Sequence, residues 1–279
     1  VSATLLVPMP EARRERSPAL HGLLPGTRDG LHHAHIVGVG GIGTSAIAQW
    51  LRALGWTVSG VDRAGSTVTE TLARVGIPVT VGDGDDCPPT ATLLVFSDAV
   101  PDDHPVRAAA RARGIPEASY AALLGELTTS FRTVAIAGSH GKSTTTALAG
   151  LILETACQDP TVVVGTRIPQ WETLGAGNFR RGRSDIAIVE ADEYQRHFLH
   201  LSPEIALVTS LDHDHVDTYP TVTEYREAFG QFVERVPDGG TVVLSAEDQG
   251  ARALRARVAP GVRLVTYGVG ASARDADVR

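Results

Sequence analysis

Cysteine is nearly missing from this 279-residue chain, with Cys87 and Cys157 as its two. They lie far apart and without metal-type spacing. A disulfide framework is therefore not expected, and a reducing cytoplasm is the expected compartment. Long apolar runs are missing too: none approaches the roughly 18 residues of a membrane-spanning helix. There is no excess of positive charge. The 25 Lys and Arg stand against 32 Asp and Glu, a net charge of −7, so the basic face of a nucleic-acid binder is not expected. The N-terminus lacks the order of a signal peptide, because in VSATLLVPMPEARRERSPALHGLLPG the short apolar piece precedes the charges. Residues 1–30 are expected to form a poorly ordered leader.

What remains is ordinary globular material, 43% hydrophobic and 20% charged, of a length that suggests two domains. The stretch HAHIVGVGGIGTSAIAQWLRALGWTVSGVD reads as strand, glycine turn, helix and strand. Its first strand is expected at His35–Val39. Gly38, Gly40 and Gly43 fit G-x-G-x-x-G, which turns backbone N–H groups and a helix N-terminus toward a diphosphate. Asp62 follows at the end of the next strand, where an acid commonly meets a ribose hydroxyl. The plainer reading is glycines that only permit tight strand–helix packing. The alternation of strands and helices continues to about Ser130, as in a doubly wound parallel unit.

A second unit opens with RTVAIAGSHGKSTTTALAGLILET. Gly138 and Gly141 let the backbone approach a phosphate, Lys142 supplies a point charge, and the Ser143 hydroxyl suits Mg²⁺. The common phosphate loop wants glycine where Ile136 stands, so this loop is shorter. Its helix is expected to turn Ala147, Leu148, Leu151 and Ile152 inward. Two later strands end in acids and histidines: Glu190, Asp192 and Glu193 after IAIVEA, then Asp212, His213, Asp214, His215 and Asp217 after IALVTS. Ligands of open α/β sheets sit at the carboxyl ends of strands, so all three features point to one crevice. Ser143 and Glu190 could hold Mg²⁺, with a histidine as a less typical third ligand. The alternative for DHDHVD is an exposed polar loop; a zinc site has neither cysteine nor a third spaced histidine to support it. Arg196, His197 and His200 read equally as the start of a surface helix. Arg180, Arg181 and Arg183 read as a solvated loop or an anion contact, with the solvated loop favoured. A nicotinamide-dependent dehydrogenase fits the first glycine motif alone, and the second phosphate loop argues against it.

Four stretches, HIVGVGGIGTSAIA, VAIAGSHGKSTTT, IVEADEYQRHFLHLSP and VTSLDHDHVDTY, resemble the Mur ligases in this combination and order. The resemblance covers residues 32 to about 279. It implies an α/β fold of two consecutive doubly wound domains with mostly parallel sheets: a Rossmann-like UDP-sugar-binding domain over 31–130 and a phosphate-loop ATP-binding domain over 131–279. It implies cytoplasmic peptidoglycan precursor synthesis with ATP and Mg²⁺. In the branch most resembled, ATP phosphorylates the lactoyl carboxylate of UDP-N-acetylmuramate, and the amine of L-alanine then displaces phosphate to form an amide. A recycling ligase that adds a peptide, and a non-catalytic UDP-sugar or ATP-binding module, are the alternatives. The resemblance assigns Gly38, Gly40, Gly41, Gly43, Asp62, Ser97 and Asn178 to the UDP-sugar. It assigns Gly138, Ser139, His140, Gly141, Lys142, Ser143 and Thr144 to ATP, and Ser143, Glu190 and His215 to the metal. Lys142, His140, Glu190 and His215 are its implied catalytic groups. The chain departs from the family pattern at Ser139 for Thr, Ser210 for Asn, SDAV for SSAI and EADEYQ for EADESD. The family's third domain is not expected in this chain, and little turnover by the chain alone is expected.

Overall fold

The computed structural model describes residues 32–269 and 276–278; the expected leader, residues 1–30, lies outside them. Strands β1 (His33–Val37), β2 (Thr57–Asp62), β3 (Val79–Val81), β4 (Leu93–Phe96) and β5 (Glu117–Ser119) form a parallel sheet in the order β3-β2-β1-β4-β5. Helices α1 (Ile42–Ala53), α2 (Thr67–Arg74) and α3 (Pro105–Ala112) connect them. Helix α4 (Tyr120–Thr128) leads to the second sheet. That sheet comprises β6 (Arg132–Ala137), β7 (Thr161–Val163), β8 (Phe179–Arg180), β9 (Ile186–Glu190), β10 (Ile205–Val208), β11 (Thr241–Ser245) and β12 (Arg263–Tyr267). Its order is β12-β11-β10-β6-β9-β7-β8, parallel except for the antiparallel β7–β8 pair. Helices α5 (Lys142–Thr155), α6 (Val222–Glu234) and α7 (Gln249–Ala253) complete it.

The central strands are nearly continuous apolar runs because helices cover both faces of a parallel sheet. All five residues of β1 are buried, as are Ile186–Val189 of β9. Local chemistry starts the helices. Ser66 and Thr69 form a capping box at α2, as do Thr221 and Glu224 at α6, while the Ser119 hydroxyl accepts from the Ala122 N–H at α4. Each such cap stabilises its helix by about 1 kcal/mol.

The two units share a packed seam. The fully buried Trp50 of α1 stacks on Phe179 of β8 at 5.8 Å and meets the edge of Phe131 at 5.6 Å. Asn178 is fully buried beside them. It donates to the Ile42 carbonyl (2.6 Å) and the Ser45 hydroxyl (2.8 Å), and accepts from Gln49 (2.9 Å).

Several local expectations need correction. The first strand runs His33–Val37 rather than His35–Val39, because Gly38 turns the chain at φ 75°. Helix α4 carries little amphipathic pattern, since Ala121, Leu123, Leu124 and Leu127 are all buried between the two units. On α5 the buried residues are Thr146 and Gly150, whereas Leu148 and Ile152 are 54% and 64% exposed. That helix is apolar on all sides, so periodicity does not select a face. Among the described residues no helix is long and apolar enough to cross a membrane.

Candidate functional site

The carboxyl ends of β1, β2 and β4 open onto a cavity of about 470 Å³, lined by Gly38, Gly40, Gly41, Asp62, Ser97 and His104 among others. Topology places it there: β1 and β4 are adjacent in space, and their connections leave the sheet in opposite directions along the strand order. The Asp62 carboxylate accepts from the Gly40 N–H at 2.8 Å and the Ala64 N–H at 3.3 Å. The acid expected to meet a ribose hydroxyl thus also locks the glycine loop. The Thr44 hydroxyl donates to the Gly38 carbonyl at 2.5 Å and closes the turn from α1. A Cβ at Gly43 would lie 2.6 Å from the Tyr120 ring. The third glycine of the motif is required by this tyrosine.

The second sheet builds its crevice where β6 lies between β9 and β10. The loop Gly138–Lys142 leaves β6, and Gly141 caps α5 at φ 82°. Gly138 stands at φ 137°, and a Cβ there would lie 2.0 Å from the Thr209 hydroxyl. Thr209 and Ser210, just beyond β10, pin the loop. The Thr209 hydroxyl donates to the His140 carbonyl, and the Ser210 hydroxyl accepts from the His140 N–H at 3.1 Å. The Ser139 hydroxyl faces inward, bonded to the Asp212 carbonyl (2.7 Å) and to Tyr225 (2.8 Å). The backbone N–H of Ser139 donates to the Ser210 carbonyl at 3.0 Å. The His140 side chain is largely exposed, with Asp212 at 3.8 Å. Thr144 lies exposed in the first turn of α5.

Lys142 Nζ donates to the Gly138 carbonyl (2.6 Å) and to Glu193 Oε1 (2.8 Å). Glu193 is fully buried, and its other oxygen has no hydrogen-bond partner among the described residues. Burial pushes its carboxyl above the ordinary range, against the pull of Lys142. Ser143 donates to Glu190 Oε1 at 2.9 Å, and Glu190 Oε2 accepts from the Gly165 N–H at 2.6 Å. These adjacent hard oxygens suit Mg²⁺, which takes few protein ligands and keeps water or phosphate oxygens. Among the described residues no group of three or more His, Cys, Asp or Glu is placed to hold a metal. His215, expected as a third ligand, instead faces Glu193 at 3.6 Å. His213 bonds the Tyr219 carbonyl at 2.8 Å, which orders the DHDHVD loop.

The two crevices meet at His197. Its Nε2 lies 3.0 Å from Asp98, in the loop after β4, and its Nδ1 lies 3.5 Å from Asp192 and 2.9 Å from the Tyr120 hydroxyl. The side chain is 10% exposed. Burial alone would lower its pKa; the carboxylates of Asp192 and Asp98 beside it more than offset this and raise it to about 9. Gln195 and Arg196 stand at φ 48° and 62°, which breaks the expected helix into short turns and aims His197 inward. Nothing in the local pattern announces this, because its partners lie 99 and 77 residues away in sequence or across a backbone reversal. Asn178 also departs from its expected place. Its amide is turned into the seam with α1, behind the glycine loop. In the basic cluster, Arg180 and Arg183 pair with Asp159 at 2.7 and 2.9 Å, while Arg181 lies over Phe131.

Comparison with known proteins follows the same division. The description "Mur ligase family, catalytic domain" matches residues 33–132, and "Mur ligase middle domain" matches residues 136–279. The chain is 43% identical over 252 residues to the UDP-N-acetylmuramate–L-alanine ligase of Laribacter hongkongensis, an alignment covering 89% of this chain and 51% of that protein. The corresponding ligase of Solibacter usitatus is 42% identical over 241 residues, covering 86% of this chain and 50% of that protein. The chain thus spans about half the length of the curated relatives it matches. The crystal structure of the UDP-N-acetylmuramate–alanine ligase of Thermotoga maritima superposes with a TM-score of 0.75 at 30% identity, covering 85% of this chain and 52% of that one. The UDP-N-acetylmuramate:L-alanyl-γ-D-glutamyl-meso-diaminopimelate ligase of Neisseria meningitides shares the fold, with a TM-score of 0.76 at 24% identity, over 86% of this chain and 79% of that one.

Proposed function

The chain belongs to the Mur ligase family, and from that premise we propose that it carries the UDP-sugar and ATP half-sites of a ligase joining L-alanine to UDP-N-acetylmuramate. The observation that carries this reading is the convergence of Lys142, Ser143 and Glu190 where the phosphate loop leaves β6, in a chain that also holds the glycine-loop cavity at the ends of β1, β2 and β4. In the proposed reaction a carboxylate oxygen of UDP-N-acetylmuramate takes the γ-phosphoryl group of ATP, and ADP leaves. The amine of L-alanine then forms the amide as phosphate departs.

The loop's part is electrostatic. Backbone N–H groups at the start of α5 and the Lys142 ammonium face the phosphates, where negative charge spreads during transfer. Lys142 is already oriented by Glu193 and Gly138, so little reorganisation is needed. Ser143 and Glu190 are the residues that would hold Mg²⁺, which when bound neutralises charge on the phosphate oxygens. His140 and Thr144 are exposed at the loop and free to meet a nucleotide bound there. Gly38, Gly40, Gly41, Gly43 and Ser97 line or build the UDP-sugar cleft, Asp62 locks its loop, and Asn178 braces the first turn of α1 behind it. A cytoplasmic location fits these substrates.

Calorimetry of the full chain with UDP-N-acetylmuramate, Mg²⁺–ATP and NADH tests the reading. Binding of the first two without the third is expected. Lys142→Ala should abolish ATP binding while leaving the UDP-sugar affinity within about twofold. Tight NADH binding without UDP-sugar binding would sink the proposal.

A further inference from the structure

One charged cluster at the seam is unaccounted for by phosphate or metal binding. His197 comes from the ATP-side unit, Asp98 and Tyr120 from the glycine-loop unit, and Asp192 from the segment that follows β9. The imidazole is nearly buried, and each of its nitrogens faces a partner from the other unit. Asp98 belongs to SDAV, where the chain departs from the family's SSAI, and its neighbours Ser97 and Ala99 line the sugar-nucleotide cavity. Tyr120 lies against Gly43. One side chain therefore touches, at one remove, both walls of that cavity: the β4 loop through Asp98 and the glycine loop through Tyr120.

We propose that His197 is a positioning residue that sets the β4 loop and Tyr120 against the phosphate-loop unit, and so shapes the cleft for a UDP-sugar. The proposal rests on the reading of that cleft as a UDP-sugar site. The physical basis is charge. As a cation His197 neutralises Asp98 and Asp192 together; without it, the two carboxylates, 25% and 42% exposed, are left uncompensated on the two sides of the imidazole and repel. The ATP side depends on it less, because Glu193 is held independently by Lys142 and by the Tyr219 hydroxyl, which donates to the Glu193 carbonyl. Asp98 is tied to the second unit through His197, in a loop that is exposed at Ala99. The titratable groups facing His197 are Asp98, Asp192 and Tyr120, with Tyr194 packed edge-on at 6.2 Å. His200 acts on it through its field, and burial lowers His200 below its ordinary value.

The test compares the full wild-type chain with His197→Gln, which removes the charge, and His197→Lys, which restores a cation. Hydrogen exchange without ligand reads the loops directly. Amides of Ser97–Val100 and of Tyr120 should exchange at least tenfold faster in His197→Gln and return toward wild type in His197→Lys. In calorimetry, UDP-N-acetylmuramate should bind His197→Gln about tenfold more weakly, as for a residue acting through others, with Mg²⁺–ATP within about twofold. Wild-type UDP-sugar affinity should fall as pH rises through about 9, and His197→Lys should hold to higher pH. Wild-type exchange and affinity in His197→Gln would overturn the proposal. Should His197→Gln fail to fold, Asp98→Asn decides instead: with one carboxylate gone no repulsion is left for His197 to relieve, so UDP-sugar affinity should hold as pH rises through about 9, and a fall like that of the wild type would overturn the proposal. If the wild-type chain binds no UDP-N-acetylmuramate, the reading of the cleft fails, and the exchange measurements alone decide on His197.

Discussion

Replacing Lys142 with alanine does two separable things: it removes the charge aimed at phosphate, and it strands Glu193. In the native chain Glu193 is fully buried, with Lys142 Nζ at 2.8 Å. Without the lysine, what still faces Glu193 is the partly exposed His215 imidazole at 3.6 Å. Breaking a buried ion pair from one side costs about 3–5 kcal/mol. The carboxyl has an escape, since it can take up a proton. From an ordinary glutamate value of 4.5, protonation at pH 7 costs about 3 kcal/mol at 1.36 kcal/mol per pH unit. That figure caps the electrostatic part of the loss, and the cap falls to about 2 kcal/mol at pH 6. The sign follows from proton counting. In Lys142→Ala the folded chain keeps a proton on Glu193 that the unfolded chain gives up, so stability is greatest below the unfolded value and declines as pH rises. In Lys142→Ala/Glu193→Gln the titrating group is gone, and this slope should vanish. Urea unfolding of both variants at pH 6, 7 and 8 measures the difference. A pH slope for Lys142→Ala no steeper than for the double variant would refute the reasoning, as would a loss below about 1 kcal/mol at pH 8.

Gly138→Ala should cost about 2–4 kcal/mol, because the new methyl meets the Thr209 hydroxyl in a backbone conformation that disfavours side chains. Gly141→Ala, whose Cβ meets nothing within 4 Å, should cost only the 1–2 kcal/mol of left-handed backbone; equal losses in denaturant melts would count against the close-approach argument. Asn178→Ala leaves Gln49, Ser45 and the Ile42 carbonyl without their shared partner, and should destabilise by about 2–4 kcal/mol in urea. A loss under 1 kcal/mol would show that the seam does not depend on it. His35 is buried and held down to about 4, first by desolvation and then by the neighbouring His33. Its folded value lies below the unfolded one, so the stability it contributes is complete above pH 6.5 and is lost as pH falls toward 4. Thermal melts should show up to about 3 kcal/mol of acid sensitivity from this group, absent in His35→Gln.

The alternation of apolar runs with glycine turns announced both parallel sheets, since a strand buried on two faces must be apolar throughout. The two phosphate-type loops were equally legible: Gly138, Gly141 and Lys142, like Gly38, Gly40 and Gly43, are local backbone requirements written in consecutive residues. Helix α4 was not legible, because burial on all sides erases the period that marks a surface helix. The outward face of α5 was not legible either, because that helix is apolar on every side although Leu148 and Ile152 stand exposed. What only the tertiary structure decided were the contacts between residues distant in the chain. Asp62 locks a loop 22 residues earlier, Asn178 braces a helix more than 130 residues away, and Glu193 holds Lys142 across 51 residues. His197 draws in Asp98 and Tyr120 from the other unit. Such pairings carry no spacing rule. They exist because the strand order brings carboxyl ends together, and because buried polar groups must find partners wherever the fold delivers them.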